Sequence, residues 1–241
     1  MSYQFNQPPA QMQISESELQ GTFAAAMARV YLWMFLGLLV TTLSALFTIS
    51  FTPLFNLIFS TPFIPLGLFV VEIALVIGIS GLINRISPTI ALGLFFIYAA
   101  VNGLTLSVIF LVYGLGSLVL TFGVCALLFG FMSVVGFTTK QDLTGWGKIL
   151  LIGLVGIIIA SIVNFFLAST ILEIIISYIG VAIFLGLTVY DTQRIKNMTA
   201  AGLMQGDSLV VNRVGVMGAL KLYLDFINLF LFMLRILGRR R

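Results

Sequence analysis

Histidine is absent from these 241 residues, and cysteine occurs once, as Cys125. Zinc sites of the Cys/His kind, haem held by histidine and His-based nucleophilic triads are therefore excluded. So is an internal disulfide. Charge is nearly as scarce, at 8% of residues, with 8 Asp and Glu against 12 Lys and Arg. Soluble domains carry about 25% charged residues, so a chain that is 60% hydrophobic reads as an all-α integral membrane protein. The net charge of +4 does not point to nucleic acid. Apart from Arg239, Arg240 and Arg241, the basic residues are scattered singly, most of them at the ends of apolar runs, as membrane topology requires. Any chemistry must use carboxylates, Lys, Arg, Tyr, hydroxyls or the backbone.

The polar start of the chain lacks the basic and short apolar regions of a cleaved signal. Residues 1–27 read as a disordered cytoplasmic tail, followed by a membrane domain over residues 28–241. A span needs about 20 predominantly apolar residues. Seven stretches qualify: Val30–Phe51, Leu66–Ile83, Thr89–Val112, Ser117–Phe137, Ile149–Ala168, Ile171–Tyr190 and Val214–Leu237. Pro53, Pro62, Pro65, Ser87-Pro88, Gly114 and Gly116 supply the breaks. With the N-terminus inside, Arg85, Lys140, Lys148, Arg194, Lys196 and Arg213 all fall in cytoplasmic loops, and the opposite loops carry no basic residue. The arginines at positions 239–241 oppose this assignment, unless the last segment is re-entrant. Glycines within the spans, such as Gly78, Gly81, Gly153, Gly156, Gly180 and Gly186, suit close helix packing.

The polar residues inside these spans carry the functional signal. Asn102 and Asn164 read as hydrogen-bonding residues between helices, and Glu72 with Arg235 as a pair that fixes helix register. In the last span, Lys221, Asn228 and Arg235 lie at about −40°, −60° and −80° from Asp225, taking about 100° per residue. The four form one polar stripe, which belongs against partners or water rather than lipid. Asp191 closes the sixth span at a depth similar to that of Asp225. An intramembrane carboxylate costs several kcal/mol unless paired, hydrated or neutralised. Two such groups share a proton, bind a hard cation through oxygen, or are latched by a basic side chain, for which Arg85, Arg194 and Lys221 are candidates. Membrane aspartyl proteolysis fits poorly: Tyr190-Asp191 matches one signature of such enzymes, but Tyr223-Leu224 precedes Asp225 where Gly-x-Gly is needed. The chain reads as a non-enzyme with no cofactor.

Tyr190–Asn197 (YDTQRIKN) and Ala219–Leu231 (ALKLYLDFINLFL) resemble the two signature regions of the transmembrane Bax inhibitor motif family. Gly136–Leu143 resembles that family's fourth loop, and the likeness runs from Ala28 to Gly238, closest to bacterial inner-membrane members. The resemblance implies a seven-helix bundle with the last helix central, and a pH-sensitive calcium leak gated by an Asp191–Asp225 dyad that also meets the ion. It further implies a Glu72–Arg235 pair and an arginine latch near the inner end of the second helix, where Arg85 stands nearest. Some bacterial relatives imply another role, the binding of a membrane-anchored quality-control protease, for which the tail Met1–Gln20 would be the grip.

Overall fold

The computed structural model describes residues 16–239, and every regular element among them is an α-helix. They are α1 (Glu16–Ser50), α2 (Thr52–Phe59), α3 (Phe63–Leu82), α4 (Pro88–Leu106), α5 (Ile109–Val112), α6 (Leu115–Thr138), α7 (Thr144–Leu167), α8 (Thr170–Met204) and α9 (Ser208–Leu237). Six stretches are long and apolar enough to cross a bilayer: Gln20–Ser50, Phe63–Leu82, Pro88–Val112, Leu115–Thr138, Thr144–Leu167 and Thr170–Met204. Their outward faces are greasy, with Leu127, Phe165 and Val119 well exposed. An apolar perimeter on this scale suits contact with lipid tails.

α9 is the exception to that pattern. It packs against α8, α1, α6 and α4, and Val216, Ala219, Leu222, Tyr223 and Leu229 are fully enclosed. The central last helix expected from the polar stripe is present. α9 runs unbroken to Leu237, and Arg239 then donates its backbone N–H to Ser117 Oγ at 3.1 Å. The chain thus leaves α9 beside the start of α6, at the opposite end of the bundle from the α8–α9 turn.

Local sequence sets the boundaries. Pro53, in the first turn of α2, loses no helical hydrogen bond there and opens a short helix within the break between the first two spans. Ser87 Oγ accepts from Ile90 N to cap α4 ahead of Pro88. Asn164, expected to bond between helices, instead accepts from Ser169 N and closes the α7–α8 turn, where Ala168 takes φ 49°. The α8–α9 connection is three residues long; Gly206 adopts φ +67° and Asp207 caps α9 by accepting from Leu209 N and Val210 N. Only glycine takes such a backbone cheaply.

Three expectations need correction. Residues 16–27 of the supposed tail belong to α1, while residues 1–15 lie outside the described residues. The sixth span does not end at Tyr190, since α8 continues to Met204. At about 1.5 Å per residue its 35 residues reach about 52 Å, well beyond a hydrocarbon core of about 30 Å. Among the glycines, Gly153, Gly180 and Gly186 do lie against neighbouring helices, at Ile183, Phe232 and Leu150, but Gly78, Gly81 and Gly156 face open space, and the tight approaches to backbone fall at Gly103 against Thr41 O and Gly136 against Val189 O.

Candidate functional site

α8 and α9 run antiparallel as the most extensively packed pair of helices. Lys221 Nζ donates to Asp191 Oδ1 at 2.9 Å across this pair. Asp225 follows Lys221 by one turn of α9. It is 5% exposed, and its Oδ2 is buried with no hydrogen-bond partner. Asn228, another turn on, donates Nδ2 to Leu224 O and keeps its Oδ1 free. A cavity of about 1310 Å³ between α3, α7, α8 and α9 collects Asp191, Arg194, Lys221, Asp225 and Asn228 on its wall. Three members of the predicted stripe therefore share one cavity with Asp191, as the bearings on α9 required.

The fourth member does not. Arg235 is exposed, with its guanidinium 5.3 Å from the centre of the Phe232 ring, and it does not pair with Glu72. Ten residues separate it from Asp225, about 15 Å along the axis, which carries it to the end of the helix. Glu72 is held instead by Thr105 Oγ1 at 2.7 Å and Asn102 Nδ2 at 3.1 Å. The reason is packing: α3 lies along α4, so the face bearing Glu72 meets Asn102 and Thr105.

Arg85 is also displaced from its expected role. It is exposed in the turn after α3, where its backbone N–H donates to Leu82 O. The basic side chain paired with Asp191 is Lys221, one of the three candidates. An ammonium on the neighbouring helix, already level with the carboxylate, needs no excursion by α3.

On the opposite face of α9 lies a second polar array. Tyr223 OH donates to Asn102 Oδ1 at 3.0 Å and accepts from Thr41 Oγ1 at 2.6 Å, with Ala99 O, 2.9 Å from Thr41 Oγ1, as an alternative acceptor for the Thr41 proton. With Glu72 and Thr105 this makes a continuous chain linking α1, α9, α4 and α3. Asn102 thus bonds between helices as expected. Tyr223 and Thr41 carried no signal in the sequence, because an aromatic and a hydroxyl in an apolar run both suit ordinary packing. Gln193 was missed as well. Its side chain donates to Gln141 O at 2.7 Å and accepts from Leu143 N at 3.1 Å, pinning the α6–α7 loop to α8. In that loop, the hydroxyl and backbone N–H of Thr144 hold the Asp142 carboxyl below its ordinary range.

Comparison with known proteins accords with this architecture. Residues 24–241 match the Bax1-I family, described as inhibitor of apoptosis-promoting Bax1. The chain is 46% identical over 215 residues to the inner membrane protein YbhL of Escherichia coli K12, covering 89% of this chain and 92% of that one. It is likewise 46% identical over 215 residues to an uncharacterized protein of Borreliella burgdorferi, with the same coverage. Against the uncharacterized membrane protein SpyM3_0260 of Streptococcus pyogenes it is 40% identical over 187 residues, 77% of this chain and 79% of that one. A family match over nearly the whole length, joined to a helical bundle with a greasy perimeter, makes this chain a multi-pass membrane protein of the Bax1-I family.

Proposed function

We propose that this protein is a pH-sensitive cation leak, with calcium as the transported ion and the Asp191–Asp225 dyad as its gate. It acts as a passage and not as a catalyst. α9 is its seventh span, the N-terminus is cytoplasmic, and the membrane is the bacterial inner membrane. The unbroken course of α9 supports the seventh crossing over a re-entrant return. The gathering of basic loops at one end supports the orientation, and the similarity to YbhL supports the membrane.

One observation carries the reading: a carboxylate held by an ammonium stands beside a buried carboxylate with no partner, and both line one cavity. Calcium takes about 6–8 oxygen ligands. Two carboxylates bring at most four and Asn228 Oδ1 a fifth, so water completes the shell and the ion leaves readily. To reach Asp191 the ion must displace Lys221, which makes Lys221 the latch. Protonating either aspartate removes a charge from this cluster, and flux therefore depends on pH.

Calcium efflux from liposomes carrying the purified protein tests the proposal. Lys221→Gln should raise flux several-fold. Asp191→Asn combined with Asp225→Asn should reduce flux and flatten its pH profile, and an unaltered profile in that double variant would refute the gate. The alternative of a protease partner rests on the segment Met1–Gln20, and nothing among the described residues favours it.

A further inference from the structure

The cavity beside the acidic pair is larger and more apolar than a path for a small ion requires. At about 1310 Å³ it exceeds the range of about 300–1,000 Å³ common for small-molecule sites. Away from the carboxylates its wall is aromatic and aliphatic, with Phe69 and Ile73 from α3, Phe165 from α7, Phe184 from α8 and Phe232 from α9. α3 packs along α4, and α7 along α8, which leaves the space between α3 and α7 open. Phe69 and Phe165 on the two sides of that space are 53% and 82% exposed. The cavity therefore opens sideways onto the lipid phase.

The charges inside it are unequal in their surroundings. Lys221 neutralises Asp191 at 2.9 Å. Asp225 lies about 6 Å further along α9, faces the same cavity, and has a buried oxygen with no partner. Arg194 and Lys148 also line the cavity, but both are exposed, so solvent screens them. A buried carboxylate without a partner is costly, and an incoming cation relieves that cost. An apolar body alone gains nothing from Asp225, and an anionic headgroup is repelled by it. Aromatic faces around a cation add their own attraction.

We propose that this cavity is a binding site for a hydrophobic organic monocation, an amphiphilic amine or quaternary onium ion that enters from the bilayer between α3 and α7. Its charge rests against Asp225 and its apolar body against Phe69, Phe184 and Phe232. Site occupancy is independent of whether calcium passes, so the two ideas fail separately.

The test is equilibrium binding of radiolabelled tetraphenylphosphonium to the full chain in lipid nanodiscs. Wild type should bind it saturably at one site, and the neutral triphenylphosphine oxide should not compete. Asp225→Asn should weaken binding roughly tenfold or more, and Asp225→Glu should keep most of it. Phe69→Ala, on the exposed side of α3, should weaken binding several-fold without disturbing the fold, and serves if Asp225→Asn does not fold. Absence of saturable binding, equal competition by the neutral compound, or unchanged affinity in Asp225→Asn and Phe69→Ala would each overturn the proposal.

Discussion

Replacing Glu72 by glutamine should leave stability almost unchanged, whereas replacing Tyr223 by phenylalanine should cost about 1–2 kcal/mol. The difference follows from the direction of the hydrogen bonds. In wild type, Asn102 Nδ2 donates to Glu72 and Tyr223 OH donates to Asn102 Oδ1. In Glu72→Gln, the new side-chain amide donates to Asn102 Oδ1 once the Asn102 amide turns over. Asn102 Nδ2 then donates to Tyr223 OH, Tyr223 to Thr41, and Thr41 to Ala99 O. Thr105 keeps an acceptor throughout. No group is stranded, and a change that strands nothing stays within about 0.5 kcal/mol.

Tyr223→Phe allows no such reversal. Asn102 is 7% exposed, so its Oδ1 loses its donor where water does not replace it. A stranded buried acceptor costs about 1–3 kcal/mol, while hydrogen bonds between membrane helices average about 0.6 and reach about 1.7. Thr41 is spared, since its hydroxyl still reaches Ala99 O and Gly37 O. Cys125 provides the assay: it is the single cysteine and is 0% exposed, so a thiol-reactive fluorogenic dye reports unfolding of the core. At about 2–4 °C per kcal/mol for a chain of this size, Tyr223→Phe should lower the midpoint by about 2–8 °C. Arg235→Gln should leave it in place. A loss in Glu72→Gln exceeding that in Tyr223→Phe would refute the chain, and a loss of about 3–5 kcal/mol in Arg235→Gln would restore a broken Glu72–Arg235 pair.

Gly136→Ala sets a new Cβ against Val189 O, and should cost about 1–3 kcal/mol by forcing α6 from α8. Gly130→Ala, whose Cβ meets nothing within 4 Å, should be neutral or stabilise by up to about 1 kcal/mol; the same dye assay compares them. Gln193→Ala should free the α6–α7 loop, seen as faster proteolytic cutting near Gln141, with the midpoint little changed. For Asp142, carbon-13 NMR titration should give a pKa below the ordinary value, raised again in Thr144→Ala. Because that pKa is lowered on folding, the stabilisation it brings is present above the ordinary value of about 3.9 and is lost as pH falls through the lowered one.

Much of this architecture was legible in the sequence, for definable reasons. Hydropathy located the apolar crossings because a crossing length is fixed by the bilayer. It missed the last turns of α8, since Gln193, Arg194, Lys196 and Asn197 end the apolar run while Ile195, Thr199 and Gly202 still bury. Helical bearings put Lys221, Asp225 and Asn228 on one cavity correctly. They gave no depth, which is why Arg235 was grouped with them. The ion-pair partner of Asp191 was legible only as a set of candidates, because choosing Lys221 over Arg85 needs the register between helices, which no single helix encodes. Tyr223 escaped notice because it lies about 200° from Asp225, outside the stripe that drew attention to α9.

The three-residue α8–α9 connection carries a consequence for how this protein tolerates change. Asp191 lies 13 residues before Met204, about 20 Å from the turn, yet the turn fixes which α9 residue stands opposite it. One residue added within α8 or α9 between the turn and the site would swing one partner through about 100° and shift it by about 1.5 Å, separating Lys221 from Asp191. Surface connections ordinarily absorb insertions freely. Here the connection acts as the gauge that spaces the charges, so that insertions and deletions between Asp191 and Lys221 should behave as mutations of the charge cluster itself, however distant and solvent-facing their positions are.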